Sequence, residues 1–311
     1  MAQDEDRTAS LMTPAKLAQA GSRPKAPVSP AAWLDKMASD AGHQHVRRLA
    51  ELRADLQAQA TKRDFSPLAK DLDAVAAALP QLDFGLLQQK GGLLARLSGK
   101  NKNTFVEFAS QFDAIDETLD QLAKQGKSLQ AKLAEQAAIT DRTLVEFEVE
   151  FRGLEKIIDQ GARWLQDMRN QLKTREAEAI DDAARAQVRQ DAQRCEVLVS
   201  RLKQLRALST AAHECQQQAQ ATAARRASIA QSLQGTVAER AKQWRTRVTP
   251  LANAARDGES PGLSLEAPMD CHRDLQLCIK DAIADCAQMQ SHEKELAGTF
   301  EGLAPHLQAA G

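Results

Sequence analysis

The sequence contains no tyrosine, and its other aromatic residues are eight phenylalanines and three tryptophans. Aromatic residues that favour β-strands are therefore scarce, and no stretch alternates apolar and polar residues over the length of a strand. The apolar content consists mostly of alanine and leucine, a composition typical of long helices. We therefore expect an all-α protein with almost no sheet.

The sequence also lacks a membrane-spanning run. No segment approaches the roughly 18 to 20 uncharged apolar residues that cross a bilayer, and residues 1–12 are acidic where a signal peptide would be basic and then apolar. We expect a soluble, cytoplasmic protein. A net charge of −1, from 41 basic and 42 acidic side chains, argues against nucleic acid as a partner.

Motifs that carry catalysis are absent as well. The sequence contains no GxSxG, HExxH, GxxxxGK[ST] or GxGxxG. We therefore predict no catalytic residue, no cofactor and no enzymatic activity. His43 and His45, like His213 and Cys215, stand two residues apart, and side chains at this spacing diverge on a helix. The spacing argues against a metal site at either pair.

Cysteine is present in an odd number, five, without a CxxC pair, so we expect reduced thiols rather than a disulfide framework. Cys271, Cys278 and Cys286 follow one another at steps of seven and eight, close to one helix face. Because they are about two turns apart, they cannot chelate one ion from a single helix. Packing as small apolar side chains is the favoured interpretation. Thiol chemistry on an oxyanion stays open as an alternative.

Prolines and glycines divide the chain into segments. Pro80 closes an N-terminal helical region that carries a candidate break at Asp40 to Gly42, and no proline follows before Pro250. The predicted segments are a disordered tail over 1–30, an N-terminal helical module over 31–80, a Gly/Lys-rich hinge over 81–103, a long helical hairpin over 104–249, a loop over 250–268, and a C-terminal helix and tail over 269–311.

The hairpin begins with the clearest helical pattern in the chain. Thr104 and Glu107 have the spacing of a capping box, which predicts the helix start. The stripe of apolar residues along this helix shifts phase near 137–144. Gly126, Gly153 and Gly161 are positions where the helix could bend or stop. Apolar residues at steps of three and four define its face: Phe105, Phe108, Phe112, Ile115, Leu119 and Leu122.

A second long helix is predicted over 176–248, antiparallel to the first, with the turn near 173–179. The two helices together give the fold prediction, an elongated helical bundle or long antiparallel coiled-coil hairpin. A heptad pattern can be filled within one chain or between two, so a homo-oligomer stays open.

The hinge is rich in basic residues. Lys90, Arg96, Lys100 and Lys102 surround three glycines just before a helix N-terminus, where free amides and the helix dipole favour an anion. The favoured interpretation is a surface turn whose charged ends stay in water. Contact with an anionic membrane or partner is the alternative.

Two regions of the sequence resemble a known family. LAKDLDAVAAAL, KGGLLARLSGK and FASQFDAIDETLDQLAKQGKSLQ are similar to the toxic anion (tellurite) resistance family, TelA/KlaA, in which a helical segment and a basic glycine-containing turn precede a long helix. RRASIAQSLQGTVAERAKQWRTRV resembles the family's C-terminal stretch, with Gln231, Gln234 and Trp244 at the matching positions. The likeness covers roughly residues 66 to 250.

The chain departs from the family pattern in two places. Residues 241–243, Ala-Lys-Gln, carry no proline ahead of Trp244, and the cysteine-containing tail after Pro250 has no counterpart. The resemblance implies a cytoplasmic protein of tellurite and envelope-stress resistance, without catalytic residues to carry over. We expect it to act non-enzymatically through helical contacts with protein partners. The alternatives are a coiled-coil scaffold attached peripherally to membrane or to an envelope complex, and thiol-based oxyanion detoxification.

Overall fold

The computed structural model describes Lys36 and residues 40–88, 100–258 and 264–311, without the side chains of 100–103. Within these ranges the regular secondary structure is entirely helical, which confirms the all-α bundle. The predicted tail over 1–30 lies outside the described residues. None of the described helices combines the length and the apolar character that a membrane span requires.

Eight α-helices follow one another in the described residues, with a 3-10 turn over Leu79–Gln81 and a π-helical segment over Leu233–Val237 between them. They are α1 (His43–Lys62), α2 (Ser66–Ala78), α3 (Gly85–Gln88), α4 (Lys100–Glu178), α5 (Asp182–Ser232), α6 (Ala238–Arg256), α7 (Glu266–Gly302) and α8 (Ala304–Ala310).

The chain divides into two compact units. The first consists of residues 1–43 and 156–205, and the second of residues 44–155 and 206–311. Helices α4 and α5 therefore each contribute to both units.

In the first unit, the end of α4 and the start of α5 form an antiparallel hairpin. Arg175 pairs with Asp191 at 2.8 Å and Arg169 with Glu196 at 3.2 Å. The later residue of α4 thus pairs with the earlier residue of α5, as expected for antiparallel helices. The turn lies at 179–181, where the Asp181 carboxylate accepts a hydrogen bond from the Ala184 amide at 2.7 Å and caps α5. The buried apolar side chains between the helices include Leu165, Met168, Leu172, Val188, Cys195, Leu198 and Leu202.

In the second unit, the core lies among α2, the first turns of α4, α6 and α7. The phenylalanine stripe predicted from the sequence faces this core, since Phe105, Phe108 and Phe112 are all buried. Trp244 of α6 is fully buried and stacks on Phe112, with ring centroids 5.2 Å apart. Arg245 holds the same two helices together from outside, bonding the Asp116 carboxylate at 2.5 Å.

Helix α4 is continuous through all three glycines at which it could have ended. Two of them allow close packing. A Cβ on Gly153 would lie 2.6 Å from the His45 ring, and a Cβ on Gly161 would lie 2.8 Å from Leu202. Gly126 has no atom within 4 Å of the corresponding position. Gly153 and Gly161 therefore serve side-chain packing rather than a bend.

The predicted capping box at Thr104 and Glu107 is wrong. Helix α4 begins at Lys100, one turn earlier, so Thr104 lies inside the helix. The capping-box spacing does not mark the helix start here, because the helix extends through the polar residues that precede the buried Phe105 and Phe108.

The loop predicted over 250–268 is also shorter than expected. Helix α6 continues through Pro250 to Arg256, and α7 begins at Glu266. Proline removes one amide donor, but Leu251, Ala252 and Ala255 are almost completely buried and hold this turn against the core. Tertiary packing therefore overrides the proline signal. Residues 259–263 lie outside the described residues.

Candidate functional site

A five-residue π-helical segment interrupts the second long helix at Leu233–Val237. The wider turn changes the phase of the side chains, and such insertions are frequent at functional sites. Within the segment, Gln234 and Gly235 are exposed, whereas Val237, its last residue, is buried in the core. The exposed part of the segment therefore comes directly before the core-facing stretch of α6.

An open groove lies in the second unit beside this segment, with a volume of about 590 Å³. We call it the Ala/Gln groove. Five of its twelve lining residues are alanines, and these small side chains leave space between the two helices. The side chains of Gln234 and Gln130 are hydrogen-bonded to each other at the groove. Its lining consists of Gln130, Leu133, Ala134, Ala137 and Asp141 on α4, and of Ala223, Arg226, Ala227, Ala230, Gln231, Gln234 and Gly235 on α5 and the π-helical segment.

Arg226 is the buried charge of the Ala/Gln groove. Its side chain is 9% exposed, and its guanidinium donates to Glu293 Oε1 of α7 at 2.7 Å. The other oxygen of Glu293 accepts from Arg63 at 3.2 Å, and both of these side chains are buried. One carboxylate is thus shared by two guanidinium groups.

Arg63 completes this buried network. It donates to the Thr140 hydroxyl at 2.5 Å, and Thr140 donates to Gln59 at 2.7 Å. Burial lowers the pKa of the Arg63 guanidinium; the positive charge of Arg226 acts in the same direction, while Glu293 opposes it. Thr140 lies within the stretch of α4 where the sequence predicts a phase shift. The break in the apolar stripe therefore coincides with a polar contact in the interior.

Trp244, which the family resemblance singles out, has a structural role in this bundle. Its indole Nε1 donates to His272 Nδ1 at 3.0 Å, which requires that ring nitrogen to be unprotonated. Burial lowers the pKa of the His272 imidazole, although a hydrogen bond with the Leu79 backbone opposes this effect. Trp244 therefore packs in the core, whereas Gln231 and Gln234 of the same sequence motif line the Ala/Gln groove.

The basic residues predicted as an anion or membrane contact receive no structural test. Lys90 and Arg96 lie outside the described residues. Lys100 and Lys102 belong to the first turn of α4, but their side chains are not described. The hinge contact stays a prediction.

The three cysteines of α7 are free thiols that differ in burial. Cys286 is buried and donates weakly to the Phe65 carbonyl at 3.7 Å, whereas Cys271 and Cys278 are half-buried. Burial raises the pKa of Cys286 to about 11 and also raises that of Cys278. A raised pKa keeps a thiol protonated, and the protonated thiol is a poor nucleophile.

The described residues contain no group of three or more side chains suited to holding a metal. His45 pairs with Glu150 at 2.7 Å. His213 packs edge-on against Phe151, and Cys215 donates to the Thr299 carbonyl at 3.5 Å. Burial raises the pKa of Cys215 to about 12. Each of these side chains thus has a packing partner.

The comparisons with known proteins agree with the resemblance. The sequence model of the toxic anion resistance protein (TelA) family matches residues 35–227. The match covers more than half of the chain, and the protein belongs to this family. Neither the curated proteins nor the solved structures contain a match.

Sequence reasoning missed Arg226, Glu293 and Arg63. Arg226 and Glu293 are 67 positions apart, and Arg63 is 230 positions from Glu293, so no local spacing connects them. The one available signal was a glutamate on the apolar side of α7, four positions after Met289 and three before Leu296, both of which are buried. A charge at such a position predicts a buried partner.

Proposed function

We propose that this TelA family member acts in toxic anion resistance without catalysing a reaction, through contacts that its long helices make with a protein partner. Family membership supports the process, and an apolar pair on α4 supports the contact. Val145 is 62% and Val149 57% exposed, one helical turn apart, whereas Leu144 and Phe147 beside them are buried. This exposed valine pair is the observation that carries the proposal.

The valine pair has the character of a small helix contact surface. Side chains four positions apart lie on the same helix face. Glu146 follows Val145 directly in the sequence and pairs with Arg48 at 2.6 Å, so this ion pair provides a polar border beside the valines. Such a centre with a polar rim is how protein interfaces are usually built.

Photo-crosslinking tests this proposal in the native host. A crosslinking amino acid replaces Val145 or Val149, with exposed Ala131 as the control position on the same helix. We expect one discrete partner protein at both valine positions and none at Ala131. Val145→Glu should abolish both the crosslink at Val149 and tellurite tolerance without lowering the melting temperature. Unchanged tolerance in a folded Val145→Glu protein would overturn the proposal.

Thiol chemistry is the alternative that the geometry favours less. Because burial raises the pKa of Cys286 to about 11, this thiol carries almost no thiolate at neutral pH. Replacing Cys271, Cys278 and Cys286 with serine should leave tellurite tolerance unchanged. Loss of tolerance in a folded triple variant would restore thiol-based detoxification as the function.

Attachment to an anionic membrane through the hinge is the remaining alternative, and it rests on the sequence alone. Changing Lys90, Arg96, Lys100 and Lys102 together to glutamine should weaken sedimentation with anionic vesicles if the hinge binds them. Equal sedimentation of the variant and the wild type would remove the hinge from the proposal. Neither result bears on the valine pair.

A further inference from the structure

We propose that the Ala/Gln groove binds an amphipathic organic anion, with its carboxylate on Arg226 and its apolar body along the alanine walls. This site is separate from the valine pair and does not depend on the proposed function. It follows from three features of the groove, which are its size and lining, its buried charge, and the amides at its end.

The groove has the dimensions of a small-molecule site. Its volume of about 590 Å³ lies within the roughly 300 to 1,000 Å³ that ligand pockets span. Apolar side chains line most of it, and a few polar groups converge on it, which is the usual composition of such pockets. From Gln130 to Asp141 the α4 wall is about 16 Å long at about 1.5 Å per residue. An extended chain of about ten carbons fits this length.

Arg226 supplies the reason for an anion. Two guanidinium groups, Arg63 and Arg226, share the single carboxylate of Glu293, so among the described residues this hydrogen-bonded network has a net charge of +1. Arg226 uses one donor on Glu293 and also lines the groove. A guanidinium has five N–H donors. A carboxylate in the groove would accept from the others and neutralise the excess charge.

One charged side chain opposes the proposal. Asp141 also lines the groove, and its carboxylate repels an anion. Asp141 is exposed whereas Arg226 is buried, and charges in water are screened more strongly than charges in the interior. Attraction to Arg226 therefore dominates, and removal of the Asp141 charge should strengthen binding.

The glutamines define the end of the site. Gln130 and Gln234 are hydrogen-bonded to each other across it, one from each helix. Gln234 belongs to the π-helical segment, as does Gly235, which has no atom within 4 Å of the position of a Cβ. The amides close one end of the apolar walls with a pair that can separate and bond to solvent. A ligand can therefore enter from this end without disturbing the core.

Isothermal titration with sodium decanoate below its micelle concentration tests the site. We expect saturable binding of one decanoate per chain. Arg226→Gln should weaken this binding by at least about tenfold, because a charge-assisted hydrogen bond is lost. The matched control is Arg225→Gln, the neighbouring exposed arginine that contacts His292, and its affinity should equal that of the wild type. Asp141→Asn should tighten binding about twofold.

A second variant keeps the test independent of folding. Ala134→Leu with Ala230→Leu fills the groove with apolar atoms and leaves the buried network intact, so binding should be lost while the melting temperature is retained. Decanamide, which has the same apolar body without the charge, should bind at least about tenfold more weakly than decanoate.

Three results would overturn the proposal. The first is the absence of decanoate binding to the wild type. The second is equal affinity of wild type and Arg226→Gln, or of decanoate and decanamide, since the charge would then be irrelevant. The third is binding of inorganic tellurite or phosphate with an affinity equal to that of decanoate, because the alanine walls would then contribute nothing.

Discussion

Two regions of the second unit lie between α4 and the chain that runs through α5 and α6, but they differ in how tightly the helices pack. At Trp244, large aromatic side chains fill the space between the helices, and the indole stacks on Phe112 and donates to His272. At the Ala/Gln groove, alanines face each other and leave about 590 Å³ unfilled. The change occurs across the π-helical segment at Leu233–Val237. Side-chain volume therefore decides where this bundle is closed and where it is open.

The largest expected effect comes from removing the closed region. Trp244→Ala should lower the free energy of unfolding by about 3 to 5 kcal/mol, because a fully buried side chain leaves a cavity and an unpaired His272 nitrogen. Ala230→Leu in the groove should change it by less than about 0.5 kcal/mol. Urea unfolding compares the two. Similar losses would mean that the groove is part of the packed core.

The second effect concerns the charge beneath the groove. Glu293→Gln removes the carboxylate that Arg63 and Arg226 share, which leaves two buried cations and should cost about 3 kcal/mol. Glu295→Gln is the control on the same helix, since that glutamate is exposed and pairs only with His292 and Ser291 among the described residues. Urea unfolding should detect little change in the control. Equal stability of the two variants would contradict the buried network.

The third effect is a pH dependence in the closed region. Burial holds the pKa of His272 below its ordinary value of about 6.5, so the unfolded chain binds this proton more tightly than the folded chain. Stability should therefore fall as the pH drops below about 6.5 toward the folded pKa. The melting temperature should decrease more between pH 7.5 and 5.5 in the wild type than in His272→Gln. Identical decreases would place the acid sensitivity elsewhere.

The smallest expected effect concerns alanine substitution of two glycines in α4, one with free space around it and one packed against a side chain. Gly126→Ala should raise the free energy of unfolding by up to about 1 kcal/mol, because alanine favours the helix and nothing lies within 4 Å of its Cβ. At Gly153 the new Cβ would lie 2.6 Å from the His45 ring, so that ring must move and the gain should shrink or reverse. Urea unfolding measures both changes. A larger gain at Gly153 would contradict the close contact between Gly153 and the His45 ring.

Much of the bundle follows from the sequence because helical periodicity is a local property. The stripe from Phe105 to Leu122 predicts the buried face of α4 correctly. Local rules failed at Thr104 and Pro250, where burial of neighbouring apolar residues extends each helix beyond its signal. The hinge contact stays a prediction, because Lys90 and Arg96 lie outside the described residues.

The candidate site could be predicted only in part. The family resemblance pointed to Gln231 and Gln234 together with Trp244. In the structure the glutamines line the groove while Trp244 lies in the core, and the π-helical segment between them was not predicted by any pattern in the sequence. The Arg63, Arg226 and Glu293 network joins three distant segments, so only the folded chain brings it together. Non-local contacts of this kind carry no periodic signal.

Tellurite tolerance of the native host tests the central claim that this protein acts through a helix surface rather than through thiol chemistry. A strain lacking the gene receives the wild type, Val145→Glu, or the serine triple variant of Cys271, Cys278 and Cys286, each at equal protein level. We expect full tolerance with the serine variant and loss of tolerance with Val145→Glu. Loss with the serine variant and full tolerance with Val145→Glu would contradict it.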